Sequence, residues 1–326
     1  MSKTILSLFI IILFISCSKK KDADQFINSQ YTVNVLPQTE KLNIDLRVKK
    51  YQSILVLLHE NFKIEEIKEK LNIETDKMEM LINDLYSNGL IKLTENKEYT
   101  PTCFVLTESD SGNINKFVEK TGREMSGISI DRIEFIKKEY SKTELAQNYS
   151  FNENSFFILG NVVHGGFQLK NIEEKLLKAE APKRGNAKCY ISIFQNYSSE
   201  KISSSDLYME TEKLINNKSA FLFGKDVRAD LLIDLKLETK PLLISQNDRD
   251  IFNSIADLIF EDISNYLERK KPAMVKLYLN SNYKEQTSFR EFSMWIYQLI
   301  ASSSINSLIQ KKYIGDPKSI AYYYQN

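Results

Sequence analysis

Apolar positions recur at helical spacing three times between residues 47 and 107, and an alternating stretch follows them. Residues three or four apart lie on one face of a helix, so each set predicts a helix with one buried side. The sets are Leu55, Leu58 and Phe62; Ile64, Ile67 and Leu71; and Met78, Leu81, Ile82 and Leu85. Thr75 is placed to cap the third helix and Gly89 to end it. Residues 90–107, LIKLTENKEYTPTCFVLT, alternate around a polar centre, which predicts a β-hairpin.

This order of three helices and a hairpin resembles the winged helix-turn-helix architecture, and we assign residues 46–107 to a winged-helix-like domain. The resemblance implies DNA binding, but the charges oppose it. Residues 47–107 hold ten acidic and nine basic residues, and the third helix carries four acids and one lysine. Because Lys and Arg supply most of the non-specific affinity for phosphate, we predict a protein-binding or purely structural module without DNA binding.

Beyond residue 107, strand-like and helical stretches alternate, which predicts an α+β domain over residues 108–326. TESDSGN (107–113) predicts a polar loop at its start, and the terminal YYYQN either docks on the domain or lies exposed. Ser288 and Glu291 have the spacing of a capping box. Strands are predicted at SFFILG (155–160), KCYISIF (188–194) and SAFLFG (219–224), and helices at about 168–179, after Ser205, near 248–270 and near 288–311. The predicted fold class is therefore α+β, with a helical first domain and long C-terminal helices in the second.

The chain opens with a short apolar run at residues 5–15 that stops at Ser16 and Cys17, before three lysines. A spanning helix needs about 20 apolar residues, so this run is too short to cross a membrane comfortably. Phe14-Ile15-Ser16-Cys17 resembles the bacterial lipoprotein signal. The resemblance implies a signal peptide over residues 1–16, a thioether lipid on Cys17, and acylation of the new amino terminus with a fatty acid such as palmitate. An uncleaved anchor is the alternative, and Lys19, Lys20 and Lys21 support it.

Residues 17–45 show neither helical nor strand periodicity, and we predict that they form the lipid anchor and its tether. Ser18, and not an aspartate, follows the cysteine, which resembles an outer-membrane address. We therefore expect the protein in the bacterial cell envelope, held at the outer membrane through the lipid on Cys17.

The composition is that of a soluble globular protein, with 42% hydrophobic residues and a formal net charge of +1. A balanced charge creates no long-range field that would attract nucleic acid or an anionic membrane surface. After Cys17, only Cys103 and Cys189 remain. They either pair in an oxidising envelope or stay as buried thiols.

Candidate chemistry is sparse. Neither His59 nor His164 stands in a metal-binding motif, so no metal or other cofactor is predicted. His164 in NVVHGG is a ligand candidate, because the two glycines after it could let a ligand approach. Lys183 and Arg184 in APKRGN could present their charges to an anion. For both NVVHGG and APKRGN, the alternative is an ordinary turn that binds no ligand. No catalytic residue is predicted, since a nucleophile elbow and a phosphate loop are both missing from the sequence.

These observations predict a lipid-anchored envelope protein that works through a protein partner, as an interaction or structural component without catalysis. The alternative is an envelope hydrolase or a small-ligand-binding protein that uses the α+β domain, because catalytic groups can assemble without local motifs. A pocket at residues 160–166 or 183–185 would favour the alternative, and a large exposed apolar patch would favour the partner.

Overall fold

The computed structural model of the chain describes residues 22–37, 42–178, 180–196, 207–215, 218–225, 242–315 and 320–325. The predicted signal peptide and Cys17 lie outside these ranges. Helices and small sheets are mixed along the chain, so the α+β fold class is confirmed.

The first half of the chain contributes α1 (Ala23–Asn28), β1 (Tyr31–Leu36), α2 (Lys49–His59), α3 (Ile64–Lys70), α4 (Thr75–Ser87), β2 (Ile91–Leu93), β3 (Tyr99–Pro101), β4 (Phe104–Leu106), α5 (Glu108–Asp131) and α6 (Ile133–Tyr140). The second half contributes a 3-10 turn (Leu145–Gln147), α7 (Phe151–Ser155) with a π-helical continuation (Phe156–Val162), α8 (Gly166–Asn171) with a second π-helical continuation (Ile172–Leu177), β5 (Lys183–Arg184), β6 (Ala187–Lys188), β7 (Tyr190–Gln195), β8 (Tyr208–Ile215), β9 (Lys218–Lys225), β10 (Leu242–Ile244), α9 (Gln246–Leu279), α10 (Tyr283–Gln286), α11 (Phe289–Gln310) and β11 (Ile320–Gln325).

Three helices and a hairpin form in the predicted order, but α2 ends at His59, before Phe62, and residues 52–59 are all buried, so this helix has no single buried side. In α4 the buried residues are the predicted stripe of Met78, Leu81, Ile82 and Leu85. The helix is capped differently than predicted, because Glu74 occupies the N-cap position and Thr75 is already the first helical residue. Gly89 ends the helix as predicted, with a φ of 64° and a bond from the next N–H back to the Leu85 carbonyl.

The hairpin is shorter than the predicted 90–107. Strands β2 and β3 pair from Ile91 opposite Pro101 to Leu93 opposite Tyr99. Strand β4 then leaves the hairpin and pairs in parallel with β7, which also pairs antiparallel with β1. The prediction fails after Pro101 because residues 104–106 bury side chains on both faces of this three-stranded sheet, β1-β7-β4.

This sheet separates two hydrophobic cores. Along β7, Ile191 and Ile193 belong to a smaller core with α2, α3 and α4, whereas Tyr190 and Phe194 belong to a larger core with the later helices. Successive strand residues face opposite sides, so one strand serves both cores. The segment 46–107 therefore shares its core with residues far outside it.

Residues 22–36 are part of this fold, which corrects the prediction of a tether over 17–45. Ala23 and Phe26 of α1 are buried in the smaller core. Strand β1 pairs with β7 over its whole length, from Tyr31 opposite Gln195 to Leu36 opposite Tyr190. The local sequence shows no periodicity because a partner strand more than 150 residues away, and not an amphipathic pattern, holds the segment in place.

Three predictions for residues 108–326 are wrong. The predicted loop TESDSGN is the start of α5, where Glu108 and Asp110 favour a helix N-terminus. The predicted strand SFFILG forms the first π-helical continuation, whose residues are all buried. A continuous apolar run does not distinguish a strand from a buried helix. The helix predicted after Ser205 is strand β8, paired with β9.

The two long C-terminal helices form as predicted, and α11 is buried along most of its length. Trp295 is fully buried with its neighbours in the larger core. Ser288 accepts a hydrogen bond from the Glu291 N–H at 3.1 Å, but the Glu291 carboxylate points inward and does not complete a capping box. The C-terminal residues dock as β11, between β9 and β10. Among the described residues, no helix combines the length and the apolar character needed to cross a membrane.

Candidate functional site

His164 lies fully buried between helices, not at a solvated turn. Its Nε2 is 2.8 Å from the Ser129 hydroxyl and 3.0 Å from the Ser304 hydroxyl. Burial lowers the pKa of His164 to about 3, so the imidazole is neutral at physiological pH. The glycines beside it leave no room for a ligand, because a Cβ on Gly165 would lie 2.7 Å from the Phe223 ring.

Arg184 holds the fold together and does not face solvent. Its Nη2 donates to Glu291 at 2.7 Å and to the Thr102 carbonyl at 3.0 Å, while Nη1 donates to the Gly89 carbonyl and the Thr102 hydroxyl. Glu291 also accepts the Ile191 N–H at 3.0 Å. This buried ion pair joins the hairpin, the central sheet and α11. Lys183 beside it is exposed, so the two predicted anion ligands point to different environments.

Cys103 and Cys189 are both buried and stay as thiols. Burial raises the pKa of the Cys103 thiol to about 12. A thiol that is neutral and shielded from water is a poor nucleophile and a poor metal ligand. Of the two alternatives left open by the sequence, the structure favours buried thiols.

A cavity of about 230 Å³ lies between the second π-helical segment, α9 and the start of α11. Most of its wall is apolar, and its polar groups are Ser293, Tyr297 and three charged side chains. The lining residues are Ile172, Leu176, Leu177, Leu267, Glu268, Lys271, Met274, Phe289, Arg290, Ser293 and Tyr297. The π-helical turn places Leu176 and Leu177, adjacent in sequence, against the same cavity, and such turns recur at functional sites.

The polar groups of this cavity divide into two kinds. The Ser293 hydroxyl donates to the Phe289 carbonyl at 2.6 Å, and the Tyr297 hydroxyl donates to the His164 carbonyl at 3.0 Å. Lys271 and Glu268 are exposed and form an ion pair at 3.2 Å, and Arg290 is exposed beside them. The two hydroxyls therefore serve the fold, whereas the charged groups at the rim can meet a ligand.

A second polar site lies between α2 and α5. The donor atoms of His59, Glu60 and Asp110 all lie within 4.8 Å of one another. Burial by itself would lower the pKa of His59, but Asp110, Glu60 and Gln286 together outweigh burial and raise that pKa. His59 and Glu60 are buried and Asp110 is partly exposed, so the site is reachable from solvent on one side.

Comparisons of the chain with family models, curated proteins and solved structures gave no match.

The sequence-based candidates contribute to neither site. None of His164, Lys183 and Arg184 lines the cavity, and His164 is connected to it only through the hydrogen bond from the Tyr297 hydroxyl to its carbonyl. No residue that lines the cavity was predicted from the sequence to have a functional role. The adjacent pair His59-Glu60 was visible in the sequence, but nothing there indicated that Asp110 would join it.

Proposed function

We propose that this chain is a lipid-anchored, non-catalytic binding protein of the bacterial cell envelope. Its ligand is a small molecule with an apolar body and one anionic group. The observation that carries the proposal is the cavity between α9 and α11, with its apolar wall and its charged rim. This develops the small-ligand alternative predicted from the sequence, on a surface that the sequence did not indicate.

The size of the cavity limits the ligand. A cavity of about 150 Å³ is enough to bind benzene, and pockets for drug-sized ligands begin at about 300 Å³. A volume of about 230 Å³ lies between the two. It suits a short acyl chain or a single substituted ring.

The charged side chains at the rim determine which charge is preferred on the head group of the ligand. Lys271 and Arg290 are cationic, and Glu268 already pairs with Lys271. The rim therefore carries one net positive charge, which favours a carboxylate or a sulfonate over an amine. A hydrogen bond to a charged group contributes about 1.5–3 kcal/mol, so one cation accounts for roughly a tenfold or greater preference.

The test measures binding of octanoate, octylamine and octanol to the full chain in nanodiscs of zwitterionic lipid, with empty nanodiscs as the blank. We expect octanoate to bind best. Leu177→Trp should abolish binding, because the larger side chain fills the cavity from a partly exposed position. Arg290→Gln should weaken octanoate roughly tenfold and leave octanol unchanged.

Arg269→Gln is the matched control, since Arg269 is an exposed arginine on α9 that does not line the cavity. It should bind octanoate as the wild type does. Equal binding of the three amphiphiles would contradict the proposed anionic head group. Octanoate binding that persists in Leu177→Trp would show that the ligand does not bind in the cavity.

The anchoring half of the proposal rests on Ser16 and Cys17. Cells fed a labelled fatty acid should incorporate it into the wild type and into Cys103→Ala, but not into Cys17→Ser. Label in all three proteins, or in none, would contradict anchoring through Cys17. Fractionation of the same cells tests the outer-membrane location.

A protein partner remains a second candidate, favoured by one exposed patch. Tyr86 on α4 is 52% exposed, and Leu93 on β2 is 48% exposed. Tyr99 connects them, because its ring lies 6.5 Å from Tyr86 and its strand position is opposite Leu93. Exposed aromatic and apolar clusters are typical of contact surfaces. Acidic Glu79 is also exposed on α4, which disfavours DNA on this face.

A photoreactive amino acid at Tyr86 in intact cells tests this second candidate. Tyr313, an exposed tyrosine elsewhere on the chain, is the control position. A stoichiometric adduct formed from position 86 but not from position 313 would support a partner at the patch. Identical adducts from both positions, or none from either, would count against it.

A further inference from the structure

The cluster of His59, Glu60 and Asp110 is assembled from two places in the chain. His59 is the last residue of α2, Glu60 follows it directly, and Asp110 lies in the first turn of α5. Their ligand atoms lie within 4.8 Å of one another, although the side chains come from the end of α2 and the start of α5. An imidazole and two carboxylates are ligand types that divalent metal ions use in proteins.

The imidazole of His59 is held in one orientation by Gln286. The Gln286 Nε2 donates to the His59 carbonyl at 3.2 Å, which fixes the amide with its Oε1 facing the ring. That Oε1 lies 2.6 Å from His59 Nδ1, so Nδ1 carries a proton and donates it. Metal-binding histidines are commonly oriented in this way, with the second ring nitrogen donating to an oxygen.

The other ring nitrogen is directed at a carboxylate. His59 Nε2 lies 2.5 Å from Asp110 Oδ2. Both ring nitrogens therefore face oxygen atoms that accept hydrogen bonds. Such an arrangement holds either a second proton on the ring or a cation between Nε2 and the carboxylate.

The two carboxylates are positioned by hydroxyl groups. Glu60 Oε1 accepts from the Ser109 hydroxyl at 2.8 Å and from the Thr107 hydroxyl at 2.5 Å. The Thr107 hydroxyl also lies 3.2 Å from Asp110 Oδ2. A divalent ion would neutralise both carboxylates at once, whereas a proton on His59 neutralises one.

We propose that His59, Glu60 and Asp110 bind one divalent transition-metal ion of the zinc class, independently of the ligand cavity. Bonds of about 2.0–2.2 Å to one Zn²⁺ place two ligand atoms roughly 3.3 Å apart. Asp110 must move slightly away from His59, and the more distant donor atoms must close in. The imidazole favours Zn²⁺ and Co²⁺ over Mg²⁺ and Ca²⁺, which take oxygen ligands. Asp110 is partly exposed, and a water ligand would complete the coordination from that side.

The test uses the full chain in nanodiscs of zwitterionic lipid, after treatment with a chelator. Calorimetric titration with ZnCl₂ should show one tight site per chain, and MgCl₂ should not compete for it. CoCl₂ should give the visible absorption of a cobalt ion with nitrogen and oxygen ligands. Asp110→Asn and Glu60→Gln should each weaken zinc binding by at least about tenfold.

Asp257→Asn is the control, because Asp257 is an exposed carboxylate on α9, paired with Lys175, and far in sequence from the cluster. It should bind zinc as the wild type does. Trp295 fluorescence verifies that each variant is folded before binding is compared. Absence of a tight zinc site in the wild type overturns the proposal. So does zinc binding that is unchanged in Asp110→Asn and Glu60→Gln, or equally weakened in Asp257→Asn.

Discussion

The buried neutral imidazole of His164 should make the protein less stable in mild acid. In the unfolded chain His164 titrates with its ordinary pKa of 6.5, whereas burial lowers the pKa in the folded chain to about 3. Between these values the unfolded state binds the additional proton. Stability from this residue is therefore present above pH 6.5 and is lost as the pH falls toward 3.

The magnitude follows from the same two pKa values. Each pH unit between them is worth about 1.4 kcal/mol, so lowering the pH from about 7.5 to about 4.5 should cost roughly 2.7 kcal/mol through His164. If the folded pKa were about 4, the cost at that pH would fall by only about 0.1 kcal/mol. The predicted loss of stability thus depends on the burial of the His164 ring and hardly on how far burial lowers its pKa.

Urea unfolding followed by the fluorescence of Trp295, the only tryptophan, measures this cost in wild type and His164→Gln. Glutamine keeps a polar group within reach of Ser129 and Ser304 but does not titrate. The variant should lose about 2.7 kcal/mol less than the wild type over the same pH interval, because other titrating groups cancel in the comparison. Ser304→Ala keeps the histidine and should keep the full pH dependence. Parallel pH profiles for wild type and His164→Gln would refute the argument.

Other substitutions test the packing. Gly122→Ala should destabilise the folded protein by about 1–3 kcal/mol, because the added Cβ would lie 2.8 Å from the Ile300 carbonyl. Gly127→Ala on the same helix meets nothing within 4 Å and should stabilise the protein by up to about 1 kcal/mol. Thermal unfolding measures both. Arg184→Met should cost about 3–5 kcal/mol because it leaves the buried Glu291 without its cation, and adding Glu291→Leu should recover at least half of that loss in urea titrations. Native protein should react with a thiol reagent at neither Cys103 nor Cys189 over minutes, and reaction should become rapid once urea unfolds the chain.

Elements with a strong local signal were predictable from the sequence. The stripe from Met78 to Leu85 and the stop at Gly89 define α4 without reference to the rest of the chain. The free energy that selects this helix comes from one of its faces, so residues three and four apart carry the information.

Elements held by distant partners were not predictable in this way. Strand β1 is held by its pairing with β7. Phe104 lies outside the hairpin because β4 pairs with the same strand in the central sheet. The run from Phe156 to Val162 is buried on every side, so its sequence has no periodic face that would distinguish helix from strand.

The sites depend even more on distant partners, and Arg184 shows why. In the local sequence, APKRGN has the features of a turn that presents cations to an anion. The anion is present, but it is the Glu291 carboxylate, more than a hundred residues further along and in the position where a capping box would have used it. A buried arginine needs a carboxylate and several carbonyls at once, and no local pattern records which ones a fold will supply. His59 is the opposite case, because no local motif predicts a role for it and the fold places it in a candidate site. Its ring is oriented by Gln286 and faces Asp110, two residues that no spacing rule connects to it. Local motifs therefore identify the residue types able to do chemistry, and the tertiary contacts decide whether those residues serve the fold or a ligand.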